Sequence, residues 1–210
     1  MEKVVIVDYK MGNLFSIVHT CEKVGLSTEI TNDYKKIKDA KALILPGVGA
    51  YPLAVSQLNE FNLVEPIKEF IQSGKSVLGI CLGMQLLMEQ SDEFAINKGL
   101  GIIEGEVLRF PEKNESVIRR IPQITWNTID IQDTSDPLLQ GIPNHEYFYF
   151  VHSNFVLPKH KENVLCSTTF SGFDYCSVVK KDNVYGIQFH PEKSSKQGLK
   201  IIENFKNMIG

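Results

Sequence analysis

Cys81 stands at the junction of two apolar runs, Ser76–Ile80 before it and Leu82–Leu87 after it, the second with helical spacing. Gly79 and Gly83 flank it in the pattern Gly-x-Cys-x-Gly. A cysteine that only fills a core needs no glycine on either side. One lifted onto a tight strand-to-helix turn needs both, because neighbouring Cβ atoms would clash there. The chemistry open to such a thiol is nucleophilic attack, and the helix start beneath it would favour the thiolate. Taken alone, Cys81 also reads as a buried thiol of the core.

A cysteine nucleophile at neutral pH needs a base, and the base needs a group that orients it. The chain has five histidines. His19 falls in a helical pattern and His160 in a lysine-flanked loop; His145 opens a strand and His152 closes one. His190 differs, because Pro191 and Glu192 follow it at once. Proline restricts the residue before it to extended or turn conformations and fixes its own φ. His-Pro-Glu can therefore set imidazole and carboxylate on one side of a rigid bend, with Glu192 holding the useful tautomer. Acyl chemistry also needs donors for an oxyanion. Gly47 and Gly49, in LPGVGAY (45–51), would let backbone N–H groups reach a substrate oxygen, and the Leu82 N–H is a second candidate. The same run reads equally well as a plain strand-to-helix turn.

These residues need a scaffold. Strands are predicted at 3–9, 27–31, 41–47 and 76–80, and helices at 13–25, 51–60, 63–73 and from Leu82 to about Ser91. Near-continuous apolar strands separated by helices indicate a parallel sheet covered on both faces. Residues 107–190 carry short β-type runs separated by turn residues, and 195–209 return to helical spacing. The expected fold is α/β: a mostly parallel sheet flanked by helices, with an antiparallel β-rich extension in the second half. A single domain over residues 1–210 is expected. Sites in open α/β sheets gather at the carboxyl ends of strands. Asp8–Asn13, Pro46–Gly49 and Cys81 all fall there.

With 210 residues, the chain can bury a substantial core. Its net charge of −3 provides no broad basic field for nucleic acid or an anionic membrane. No apolar run nears the roughly 20 residues that span a bilayer, and the N-terminal apolar stretch is too short for a signal peptide. A cytoplasmic protein is expected. Cys21, Cys81, Cys166 and Cys176 lie far apart without zinc-type spacing, so a structural role is expected for all but Cys81.

GICLGMQLL together with QFHPEKS, at Cys81, His190 and Glu192, resembles the class I, triad-type glutamine amidotransferases. Within that group LPGVGAY, GLGIIEGEV, IPQITWN and FYFVHS look like the glutaminase subunits of imidazole glycerol phosphate synthases, over nearly the whole chain. The resemblance implies hydrolysis of L-glutamine to glutamate and ammonia, with no metal and no organic cofactor. It makes Cys81 the nucleophile, His190 the acid and base, and Glu192 its partner. Val48 and Gly49 match the peptide that completes the oxyanion hole, while Gln85 and Glu93 match positions that grip glutamine. It further implies a heterodimer with a (β/α)8-barrel cyclase that takes the ammonia in histidine biosynthesis. Asn13, Trp126, Asn127 and Lys193 align with that interface, although by residue type Trp126 reads as core, Asn13 as a helix cap and Lys193 as a solvated charge.

Two stretches depart from the pattern. Gln123 and Thr125 replace a histidine and a glycine before Trp126, and Lys10 replaces a glycine in DYKMGN. Both stretches are expected on the face toward the synthase, so the departures leave the thiol chemistry alone and bear on the acceptor. They motivate an alternative in which the ammonia feeds a sugar amidotransferase of surface polysaccharide synthesis. An idle binding subunit and a stand-alone cysteine hydrolase are further readings; the intact Cys81, His190 and Glu192 argue against the first, and the interface-type residues against the second.

Overall fold

The structure, a computed structural model, describes residues 3–114 and 117–210. Its strands are β1 (Val4–Val7), β2 (Thr28–Thr31), β3 (Ala42–Leu45), β4 (Val77–Ile80), β5 (Met88–Ser91), β6 (Asn97–Lys98), β7 (Ile103–Arg109), β8 (Lys113–Asn114), β9 (Val117–Ile118), β10 (Gln123–Thr128), β11 (Asp130–Ile131), β12 (Tyr147–His152), β13 (Asn154–Pro158), β14 (Val164–Phe170), β15 (Phe173–Lys181) and β16 (Val184–Ile187). The helices are α1 (Leu14–Lys23), α2 (Tyr34–Lys38), α3 (Tyr51–Glu60), α4 (Val64–Gln72), α5 (Leu82–Leu86) and α6 (Ser195–Met208).

A 12-stranded sheet runs through both halves of the chain in the order β2-β1-β3-β4-β16-β15-β13-β7-β5-β6, with β14 and β11 added through β15. From β2 to β16 neighbouring strands are parallel. β15, β13 and β14 are joined to their neighbours by antiparallel ladders. The expected parallel core and antiparallel extension are thus one continuous sheet. Strands β1, β3 and β4 are buried at every residue, as a sheet with both faces covered requires. One apolar cluster includes Ile6, Ile44, Phe150 and Phe205; the other includes Val7, Leu45, Ile67 and Met84. Residues adjacent along β1 and β3 divide between the two clusters, which is the period-2 alternation of a strand.

The helices form where apolar spacing and capping agree. α4 buries Pro66, Ile67, Phe70 and Ile71 along one stripe. Its proline costs little because it sits in the first turn, where backbone N–H groups have no intrahelical partner anyway. α2 was not evident from apolar spacing, yet the Asp33 carboxylate caps it by accepting from the Lys36 N–H at 3.0 Å. The helix expected to run to about Ser91 ends at Leu86. Residues 88–91 instead form β5, pairing parallel with β7 and antiparallel with β6. Edge pairing outweighed the helical period of those residues.

α5 begins at an elbow that depends on its glycines. A Cβ at Gly79 would sit 2.8 Å from the Gly83 carbonyl oxygen and 2.9 Å from the Met84 nitrogen. A Cβ at Gly83 would collide with the carbonyl oxygen of Leu45. Both obstacles are backbone and cannot swing away. Gly83→Ala is therefore expected to lower stability by about 3 kcal/mol or more, beyond the usual range for overpacking. A urea-denaturation midpoint equal to the parent's would contradict this account of the elbow.

Candidate active site

The elbow holds Cys81 at φ 54, ψ −110, a left-handed conformation that few residues other than glycine adopt. Its N–H donates to the Ile187 carbonyl at 2.8 Å, tying the end of β4 to the end of β16. The residue is 6% exposed, at a cleft of about 430 Å³. Val48, Gly49, Leu82, Gln85, Glu93, His152, His190 and Lys193 also line this cleft. Of the predicted oxyanion and substrate residues, Val48, Gly49, Leu82, Gln85 and Glu93 therefore share the cleft with the thiol, and Gly47 does not.

His190 reaches the cleft on the short segment between β16 and the turn that follows it. Its backbone is extended at φ −96, ψ 101, as the following proline demands, and Pro191–Lys193 form a single 3-10 turn. Three bonds fix that turn. The His190 N–H donates to the Tyr149 carbonyl at 2.9 Å. The Ser194 hydroxyl donates to the His190 carbonyl at 2.6 Å and accepts from the Tyr149 N–H at 3.0 Å. Within the turn, His190 Nδ1 lies 2.8 Å from Glu192 Oε1, and both side chains are almost fully buried. The carboxylate accepts from Nδ1–H, which leaves Nε2 as the nitrogen outside that bond. Nε2 is buried without a hydrogen-bond partner.

Desolvation by burial pushes the His190 pKa down, but negative charge on the Cys81 sulfur and the Glu192 carboxylate more than reverse it, raising it from the usual 6.5 to about 10. Sulfur and imidazole thus lie close enough to share charge while off hydrogen-bonding geometry, an arrangement that a substrate between them can tighten.

Tyr9, fully buried, donates its hydroxyl to the Pro46 carbonyl from beneath the LPGVGAY turn. Gly47 packs against the elbow, where a Cβ would stand 2.5 Å from the Tyr9 hydroxyl and 2.8 Å from Leu82 Cβ. Close approach explains Gly47, which is not among the cleft-lining residues. Gly49 is different: it lines the cleft at φ 102, a conformation open to glycine. Val48 beside it is 42% exposed. Glu93 accepts from the Tyr51 N–H at 2.6 Å through Oε2, placing its charge at the start of α3. Gln85 donates from Nε2 to the Asn154 carbonyl at 3.2 Å and to Gln188 Oε1 at 3.1 Å.

Two residues carried no signal in the sequence, Gln188 beside the thiol and His152 in the cleft lining. Gln188 donates from Nε2 to Cys81 Sγ at 3.6 Å. An isolated glutamine in an apolar run announces nothing, and only its place two residues before His190 could have drawn notice. His152, read simply as the end of a strand, is buried with Nδ1 2.8 Å from the Asn154 carbonyl and Nε2 3.3 Å from the Tyr175 hydroxyl. A carbonyl can only accept, so Nδ1 carries the proton.

Burial pushes the His152 pKa down to about 4, with the nearby His190 adding to the effect. A base with a lowered folded-state pKa is protonated first in the unfolded chain. Stability contributed by neutral His152 is thus intact above about pH 6.5 and erodes as pH falls toward 4, by roughly 3 kcal/mol at most. Denaturation midpoints at pH 7 and pH 5 should separate further in the parent than in His152→Gln. Equal separations would mean that His152 does not titrate in this window.

The residues aligned with an interface behave unequally. Trp126 is 47% exposed rather than core, packed edge-on against Tyr149 at 6.0 Å between ring centroids. Lys193 extends its ammonium over the Tyr149 ring, 5.6 Å from its centroid. The ribbon of β10 and β12 pairs Ile124 with Val151, Trp126 with Tyr149 and Thr128 with Tyr147. Ile124, Trp126 and Tyr147 on it are exposed, so apolar side chains gather beside the cleft. Asn13 occupies the cap position of α1 but makes no side-chain cap bond. Asn127 uses both ends of its amide within the chain, with Thr169 and Thr128. Gln123, expected toward the synthase, is fully buried and accepts from the Tyr175 hydroxyl at 3.1 Å, so it faces inward. Thr125 and Lys10 are exposed.

Cys21, Cys166 and Cys176 are buried free thiols whose pKa values are raised by burial, inert by comparison with a cleft thiol. Among the described residues, no group of three or more His, Cys, Asp or Glu side chains is placed to hold a metal ion. No described helix is long and apolar enough to cross a membrane.

A family model described as glutamine amidotransferase class-I matches residues 5–208. The imidazole glycerol phosphate synthase subunit HisH of Syntrophotalea carbinolica is 44% identical over 207 residues, covering 98% of this chain and 100% of that one. The subunit of the same name from Caldanaerobacter subterraneus is 46% identical, covering 97% of each. Among solved structures, PurLQS from Thermotoga maritima superposes over 100% of this chain and 99% of its own, with a TM-score of 0.75 at 19% identity.

Proposed function

Because the chain belongs to the class I glutamine amidotransferases, we propose that it is the glutaminase subunit of an imidazole glycerol phosphate synthase. It hydrolyses L-glutamine and passes the ammonia to a (β/α)8-barrel cyclase in histidine biosynthesis. The observation that carries this reading is Cys81 and His190 lining one cleft, with Glu192 bonded to that histidine, in a chain 44% identical along its length to a subunit of that synthase.

In this reading glutamine enters with its side-chain amide toward Cys81. Gln85 Oε1 and the free oxygen of Glu93 accept from its α-ammonium group. The sulfur adds to the amide carbon, and the new oxyanion is held by the Leu82 N–H and by the N–H of the Val48–Gly49 peptide. His190 donates its Nε2 proton to the departing nitrogen as the carbon–nitrogen bond breaks, releasing ammonia and leaving a thioester. Neutral His190 then takes a proton from water, whose oxygen joins the acyl carbon. The carbon–sulfur bond breaks, glutamate leaves, and the imidazolium faces the thiolate again. Glu192 stabilises that imidazolium in both halves of the cycle.

The partner docks on the exposed side chains beside the cleft, with Trp126 and Lys193 at the contact and Asn13 at its margin. The chain works as one domain in the cytoplasm. The test is to incubate it with glutamine, the cyclase of the same cell and the cyclase's nucleotide substrate, and to follow imidazole glycerol phosphate. Product formed only when this chain is present supports the reading. Glutamate release raised by a sugar amidotransferase and not by the cyclase would assign the ammonia elsewhere.

A further inference from the structure

Gln188 is fully buried between β16 and the His-Pro-Glu turn, with its backbone N–H bonded to the Ser177 carbonyl at 2.9 Å. Its side-chain amide touches two groups, Cys81 Sγ at 3.6 Å and Gln85 Nε2 at 3.1 Å. Chemistry decides which end of the amide meets the sulfur. The Asn154 carbonyl can only accept, so the Gln85 atom 3.2 Å away must be its NH2. That same NH2 faces Gln188, which must answer with its oxygen. The Gln188 NH2 is thereby turned onto the sulfur. Reversing either amide would bury two donors or two acceptors face to face, an expensive arrangement away from water.

We propose that Gln188 is a further catalytic residue of the glutaminase reaction, its amide holding the Cys81 sulfur as thiolate, with Gln85 and the Asn154 carbonyl positioning it. This rests on the proposed function and deepens it. A thiolate accepts a far stronger hydrogen bond than a thiol, so a fixed donor favours the anion. The contribution differs in kind from that of His190. The imidazolium gives up its proton when ammonia leaves, whereas the amide keeps its donor throughout. Gln188 therefore assists twice: it favours the attacking thiolate, and it stabilises the same sulfur as leaving group when water breaks the thioester. The arrangement also gives Gln85 two tasks, since its NH2 aligns Gln188 while its oxygen remains available to substrate.

The experiment is the pH profile of Cys81 alkylation by iodoacetamide in the full chain, followed by mass, with Cys81→Ala as blank for the buried thiols. It needs neither glutamine nor a partner. In Gln188→Met the alkylation midpoint is expected to rise by about one to two pH units, the size of a hydrogen bond to a charged group. Glutamine turnover with the cyclase should fall about ten- to a hundredfold near neutral pH and recover in part at higher pH, which a packing defect alone would not do. Gln188→Leu repeats the test should methionine not be accommodated. A midpoint that stays with the parent's in a folded variant overturns the proposal, whatever the turnover. A parent that releases no glutamate with the cyclase overturns the proposed function instead, so the two failures are distinct.

Discussion

Alanine in place of Cys81 abolishes glutamine-dependent synthesis, by roughly 10⁴-fold or more, and leaves synthesis from free ammonia at the parental rate. The size follows from the chemistry: without the sulfur there is no thioester, and His190 with Glu192 has no nucleophile to serve. The survival of the ammonia reaction follows from the fold. The Cys81 backbone, not its side chain, ties β4 to β16 through the bond to Ile187, and that bond survives truncation. The φ of 54 at this position admits alanine at modest strain, because Cys81 already bears a Cβ there. Assaying the variant with the cyclase under both nitrogen sources separates the outcomes. Loss of both reactions would make Cys81 a structural residue and remove the basis of the mechanism.

Adding the cyclase to the isolated chain accelerates glutamate release by about 10²-fold or more, the range associated with a single oxyanion-hole donor. Val48 is 42% exposed, so little packing restrains its peptide, and Gly49 at φ 102 occupies a region from which a glycine peptide can turn. The anchor lies just before, where Tyr9 holds the Pro46 carbonyl and Gly47 packs on Leu82. A packed root with an exposed tip is the arrangement expected when a donor is brought into line only by a docked partner. Steady-state glutamate release, with and without saturating cyclase, reads the effect. Rapid turnover by the chain alone, unchanged by the cyclase, would mean that Val48 and Gly49 are already set.

The elements that set the thiol were legible because they rest on local sterics. Glycines around Cys81 and a proline after His190 constrain the backbone whatever surrounds them, and the elbow and the turn formed where those residues stand. What depended on distant neighbours was not legible. Residues 88–91 keep a helical rhythm, yet their pairing with β7 and β6 decides their state. Gln188 and His152 acquire meaning only through Cys81 and the Asn154 carbonyl, far away in the chain. Trp126 reads as core by composition; its exposure comes from lying on the outer face of a two-stranded ribbon, which no local pattern announces. Gln123 shows the reverse, a polar residue at a position expected outside that turned inward to the Tyr175 hydroxyl.

The place of β16 has a consequence for how the protein is made. It lies between β4 and β15, hydrogen-bonded to both, and the turn bearing His190 follows it. A chain that stops before residue 184 has neither the strand that pairs with β4 nor His190. Synthesis must pass Glu192 before any amide can be cut.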